Sequence, residues 1–131
     1  MPRILIVEDD ETLASLMASV LSDAGHEPEI VPSPEAARGP AGTYDLVVSD
    51  YLAPTYAPGQ PWPFLDRLRA LSREGKVLGC TGHHDALADE PQALGVSAVT
   101  SKPFDVDELI HVVELLIKQG QATLAARDIS A

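Results

Sequence analysis

Short, continuously apolar runs alternate along this chain with longer stretches in which apolar residues recur every three or four positions. Arg3 to Val7 is the first such run, of the kind expected for a strand covered on both faces. Leu13, Leu16, Met17, Val20, Leu21 and Ala24 then follow at helical spacing, and Gly25 suits a left-handed helix end. Glu29 to Val31 is a weaker second strand. Ser33-Pro34-Glu35 reads as an N-cap, a proline in the first turn and an acidic start, with Gly39-Pro40 keeping that helix short. Asp45 to Ser49 is the third strand.

Four prolines and a glycine between Ala53 and Pro63 make that segment a loop. Phe64, Leu65, Leu68 and Leu71 mark a third helix that ends near Gly75, and Lys76 to Cys80 is the fourth strand. A poorer fourth helix runs from about Asp85 to Leu94, where Pro91 would break or kink it in the interior. Ser97 to Thr100 is the fifth strand. Asp105 and Glu108 form a capping-box-like start to the fifth helix, whose apolar stripe is Leu109, Ile110, Val113, Leu116 and Ile117. Gly120 is expected to end it and to leave Gln121 to Ala131 as a frayed tail. Five strand–helix units imply one parallel sheet with helices on both faces, in a single domain over residues 1–120 and with no output domain.

Charge narrows the partners. The net charge of -11 repels phosphate backbones and anionic lipid, which argues against direct nucleic-acid or membrane binding. No apolar stretch approaches transmembrane length, and Met1-Pro2-Arg3 leads into a strand without a signal-peptide pattern, so a cytoplasmic location is expected. Cys80 is the only cysteine, which leaves no internal disulfide; at the end of an apolar run it reads as a small buried hydrophobe.

Chemistry concentrates at the strand ends. Glu8-Asp9-Asp10, Asp50, Thr81 and Lys102 each close an apolar run, and ligands of open parallel sheets bind outside the carboxyl ends of the strands. Each residue alone is a weak signal, since an Asp after a strand usually forms a turn or a cap. Together they suit phosphoryl chemistry. A carboxylate can attack an activated phosphoryl group to give an acyl phosphate. Mg²⁺ on Asp9 and Asp50, with Glu8 or Asp10 acting through water, would neutralise the oxygens. Lys102 and the Thr81 hydroxyl would contact further oxygens.

The runs Ile-Leu-Ile-Val-Glu-Asp-Asp at 4–10 and Asp-Leu-Val-Val-Ser-Asp at 45–50, with Thr81 and Ser-Lys-Pro-Phe at 101–104, resemble the receiver domain of two-component response regulators. The resemblance spans nearly the whole chain. It implies a flavodoxin-like, doubly wound (βα)5 fold with strand order 2-1-3-4-5. It also implies Asp50 as phosphoacceptor, Thr81 as switch hydroxyl and Lys102 as the phosphate-contacting lysine. Glu8, Asp9, Asp50 and the Leu52 backbone carbonyl would then bind Mg²⁺. The donor would be a sensor histidine kinase or phosphotransfer protein, and the output a downstream protein target. A homodimer through the fourth and fifth helices is a further suggestion.

Several positions depart from that family's pattern. Ala53-Pro54 replaces the usual Met-Pro, and the loop beyond it looks extended and holds Tyr56 and Trp62. Val99 stands where an aromatic switch residue is usual. Apolar Leu52 offers nothing to orient a hydrolytic water, which implies slow self-dephosphorylation, while Gly82 leaves phosphoryl access open. His83-His84 lacks a third metal ligand at suitable spacing and reads as solvated loop. Two other classes stay open: a phosphate-independent interaction module, favoured by Val99 and the Pro-broken helix, and an aspartyl phosphatase, disfavoured by Leu52. Otherwise the chain is not an enzyme beyond its own phosphorylation and dephosphorylation.

Overall fold

The apolar runs become five strands in a computed structural model of the chain: β1 (Arg3–Val7), β2 (Glu27–Val31), β3 (Leu46–Asp50), β4 (Val77–Thr81) and β5 (Ala98–Ser101). All pairings are parallel, in the order β2-β1-β3-β4-β5. The structure describes residues 1–37, 39–50, 64–81, 95–101 and 105–130, the side chains of 101 and 123–130 excepted. The expected helix at Asp85 to Leu94, the loop from Ala53 to Pro63, and Leu52, Gly82, His83, His84 and Lys102 lie outside them.

Alternation along the strands builds two cores, one on each face of the sheet. Ile4, Ile6, Leu46, Val48, Leu78 and Cys80 pack against Met17 and Leu21 of α1 (Glu11–Asp23) and Leu109, Val113, Leu116 and Ile117 of the last helix, α3 (Val106–Ser130). Leu5, Val7, Val47 and Val77 face the other way, toward Ala37, Tyr44, Val96 and the Leu68 and Leu71 side chains of α2 (Leu65–Leu71). Covering both faces requires apolar residues at successive positions, and β1 buries four in a row. Cys80 is buried as expected. This is the flavodoxin-like, doubly wound arrangement.

Local chemistry sets the helix ends. Asp10 caps α1 through Leu13 N–H, and Gly25 at φ 93° lets His26 N–H reach Leu21 O and Gly25 N–H reach Ser22 O, a Schellman end. Asp105 opens α3 by accepting the Asp107 and Glu108 amides at 2.9 and 3.3 Å. Three expectations need correction. Leu16 is half-exposed, because α1 turns Ala14, Met17 and Leu21 inward and a wider stripe would leave the sheet. The short second helix is a single 3₁₀ turn, Pro34–Ala36, and the Ser33 side chain makes no capping bond there. Gly120 does not end α3, which continues to Ser130. Gly120 is buried beside Glu74, where an added Cβ would make an ordinary van der Waals contact at 3.7 Å with Glu74 Cβ and Cγ. Gln121-Ala122-Thr123-Leu124-Ala125-Ala126-Arg127 beyond it is rich in helix formers.

β2 is the sheet edge on its own side of β1, and Pro28 within it removes a donor that a further strand would need. It is tied down from β3's side by Tyr44, whose hydroxyl donates to Glu29 Oε2 while the Arg3 guanidinium lies 5.2 Å from the Tyr44 ring centroid. Burial first, then the hydrogen bond to Glu29 and the charge of that carboxylate, push the Tyr44 phenol from 10.0 up to about 12, with Arg3 opposing. The folded state therefore holds this proton more tightly than the unfolded chain. The stability it contributes is complete below about pH 10 and is lost as pH rises toward 12. Urea midpoints for wild type should fall more between pH 9 and pH 11.5 than those of Tyr44→Phe. Equal slopes for the two proteins would refute the link.

Candidate functional site

The strand order reverses at β1, which lies between β2 and β3, so the crevice at the carboxyl ends of β1 and β3 is the topological switch point. Residues beyond Val7 and at Asp50 emerge there, because Val7 stands opposite Ser49 in the ladder. Glu8 prolongs the strand by one more bond, donating its N–H to Val31 O at 3.1 Å. Its side chain is 3% exposed, an uncommon degree of burial for a carboxylate. Asp9 is exposed and Asp50 half-buried.

One carboxylate oxygen from each of Glu8, Asp9 and Asp50 can be chosen so that all three lie within 4.8 Å of one another. Three like charges at that separation repel, and a hard divalent cation is the simplest species to relieve the repulsion. The donor set is all oxygen, with neither imidazole nor thiolate, which suits Mg²⁺ over softer metals. Asp10 is not in this group. Its carboxylate turns to the first turn of α1, correcting the expectation that it serves the ion.

On the next strand Cys80 stands opposite Asp50, and Thr81 follows it, fully buried, opposite Ser101. The rim thus carries the acidic residues and a hydroxyl on three successive strands, β1, β3 and β4. Leu52 and Lys102, the other two residues expected at the site, fall outside the described residues. One contributor was not singled out from sequence: Ser49, buried behind the site, donates its hydroxyl to the Asp50 carbonyl at 3.0 Å and pins the strand end. A serine inside an otherwise apolar run was the available signal. Beside Glu8 and Asp9 a surface cavity of about 330 Å³ opens between α1 and the end of β2, lined also by Ala14, Ile30 and Pro32.

Comparison with known proteins agrees with this geometry. Residues 4–114 match the response regulator receiver domain. The transcriptional regulatory protein PcoR of Escherichia coli is 30% identical over 129 residues, covering 95% of this chain and 55% of PcoR. The transcriptional activator protein IrlR of Burkholderia pseudomallei is 32% identical over 124 residues, covering 92% of this chain and 52% of IrlR. The chain thus spans about half the length of these relatives. Among solved structures, the Francisella response regulator 1452 receiver domain superposes with a TM-score of 0.68 at 22% identity, covering 91% of this chain and 98% of that one. The non-phosphorylated HemR receiver domain of Leptospira biflexa gives 0.67 at 24% identity, covering 89% and 94%. These two likenesses bear on the fold, and the sequence match carries the assignment. With 111 of its positions, 4 to 114, inside that match, the chain belongs to the response regulator receiver domain family.

Proposed function

We propose that this chain accepts a phosphoryl group on Asp50 in a Mg²⁺-dependent reaction and passes the signal to a protein partner. The convergence of Glu8, Asp9 and Asp50 at the switch point carries the reading. A carboxylate oxygen of Asp50 attacks phosphorus, the phosphorus–nitrogen bond of a phosphohistidine breaks, and the departing imidazole nitrogen keeps the electron pair. The donor is a sensor histidine kinase or a phosphotransfer protein. Glu8, Asp9, Asp50 and the Leu52 carbonyl would hold Mg²⁺, which when bound neutralises phosphoryl oxygens. Lys102 adds fixed positive charge and Thr81 a hydroxyl donor. Beyond its own phosphorylation and dephosphorylation the chain turns nothing over.

A protein target in the cytoplasm fits the net charge of -11 better than nucleic acid does, although the relatives above are regulators of transcription. No helix among the described residues is long and apolar enough to cross a membrane.

Intact-mass spectrometry after incubation with Mg²⁺ and acetyl phosphate tests the reading, provided the sample avoids conditions that hydrolyse acyl phosphates. One phosphoryl adduct, absent when EDTA replaces Mg²⁺, is expected. Lack of any adduct, here and with active kinases, would shift the balance to a phosphate-independent interaction module.

A further inference from the structure

Asp10 is the acid of the Glu8-Asp9-Asp10 run that the cation cluster leaves out, yet it is tethered at three points in the β1–α1 turn. Its carboxylate accepts Leu13 N–H at 3.0 Å, and its carbonyl accepts Ala14 N–H at 2.9 Å. Its own N–H donates to Glu8 Oε1 at 3.2 Å. One oxygen of a buried cluster carboxylate is therefore held by a backbone amide whose place depends on where α1 begins. The backbone at Asp10 is extended, φ −80° and ψ 107°, so the residue sits half outside the helix and is held to it by its carbonyl bond to Ala14 and by its side-chain cap.

We infer that Asp10 is a positioning residue for the cation site: by capping α1 it fixes the amide that orients the Glu8 carboxylate, and it acts through hydrogen bonding, not through its charge. The inference rests on the proposed Mg²⁺ site. The two ways an acid beside a cation can help are separable. Asn and Asp cap helices about equally and Ser nearly so, whereas Ala does not cap. A contribution made through charge would be lost equally in Asn, Ser and Ala.

Isothermal titration of the full chain with Mg²⁺ distinguishes them, using wild type, Asp10→Asn, Asp10→Ser, Asp10→Ala and, as a ligand control, Asp9→Asn. Asp10→Asn and Asp10→Ser should bind within about twofold of wild type, and Asp10→Ala about fivefold more weakly, the equivalent of the ~1 kcal/mol typical for loss of a cap. Hydrogen exchange at the Leu13 amide should quicken in Asp10→Ala alone. The inference is overturned if Asp10→Ala binds like wild type, or if Asp10→Asn is as weak as Asp10→Ala. Wild type that fails to bind Mg²⁺ overturns the site itself along with it. Normal wild-type binding that Asp9→Asn weakens and Asp10→Ala leaves intact removes only the role of Asp10.

Discussion

Asp50→Asn is expected to form no phosphoryl adduct under conditions that fully modify wild type, while folding like it and melting at no lower temperature. An amide matches the carboxylate in size, so the half-buried end of β3 accommodates it, and the backbone pairing opposite Cys80 is untouched. What disappears is the nucleophile, since an amide oxygen carries no charge to place on phosphorus. One of the three clustered carboxylates disappears with it. At the cluster's separation each removed pair relieves about 1 kcal/mol of repulsion in water-like surroundings, so the Mg²⁺-free variant should be no less stable than wild type. Intact mass and a thermal melt on the same samples read both halves of the expectation. An adduct of equal yield on Asp50→Asn would mean that another group accepts the phosphoryl, and the assignment of Asp50 would fall. A variant that lost its fold would make the missing adduct meaningless, which is why the melt belongs in the experiment.

How much of this could be read from the sequence depends on which force decided each feature. The inner strands β1, β3 and β4 were legible because burial on both faces demands unbroken apolar runs. Topology then brought Glu8, Asp9 and Asp50 together without further information, since parallel strands in this order must end at one rim. β2 begins two residues earlier than its apolar pattern suggests, at Glu27. An edge strand is selected by pairing with β1 more than by burial, and Glu27, Glu29 and Ile30 are exposed. The exposure of Leu16 depends on the exact angle at which α1 meets the sheet, which periodicity does not encode. The roles of adjacent acids in Glu8-Asp9-Asp10 also separated only in three dimensions. All three carry carboxylates, and the turn decides which carboxylate faces the cation site and which faces the helix. Gly120 misled because a glycine's preference for helix ends is weak, and the helix formers from Gln121 to Arg127 carry α3 past it. His26 was not anticipated either. It is buried with both ring nitrogens lacking a hydrogen bond among the described residues, and its Nε2 lies 3.7 Å from Glu114 Oε1 on α3.

Leu109→Ala and Leu115→Ala place the same substitution on the same helix and should differ severalfold in cost. Leu109 is 0% exposed and packs in the core beneath β1, β3 and β4, whereas Leu115 is 46% exposed. Truncating a fully buried leucine removes its transfer free energy and leaves a cavity, together about 2–5 kcal/mol. For a chain of this size that is a fall in Tm of roughly 8–20 °C. Leu115→Ala should cost about 1 kcal/mol or less, because half of that side chain already meets water. Thermal and urea unfolding monitored by circular dichroism check both values, and similar losses for the two variants would contradict the burial of the α3 stripe. The comparison also bears on the site. Leu109 shares its cluster with Val48, two residues before Asp50, and with Cys80, the residue before Thr81. Both strand ends that carry the chemistry therefore rest on the layer that Leu109 completes. Below its lowered melting temperature Leu109→Ala should still take up phosphate on Asp50, since no group at the rim has changed. Above that temperature, where wild type remains folded, phosphorylation should vanish in the variant alone. A variant that kept its melting temperature but lost phosphorylation would instead mean that α3 acts on the rim directly and not through the stability of the core.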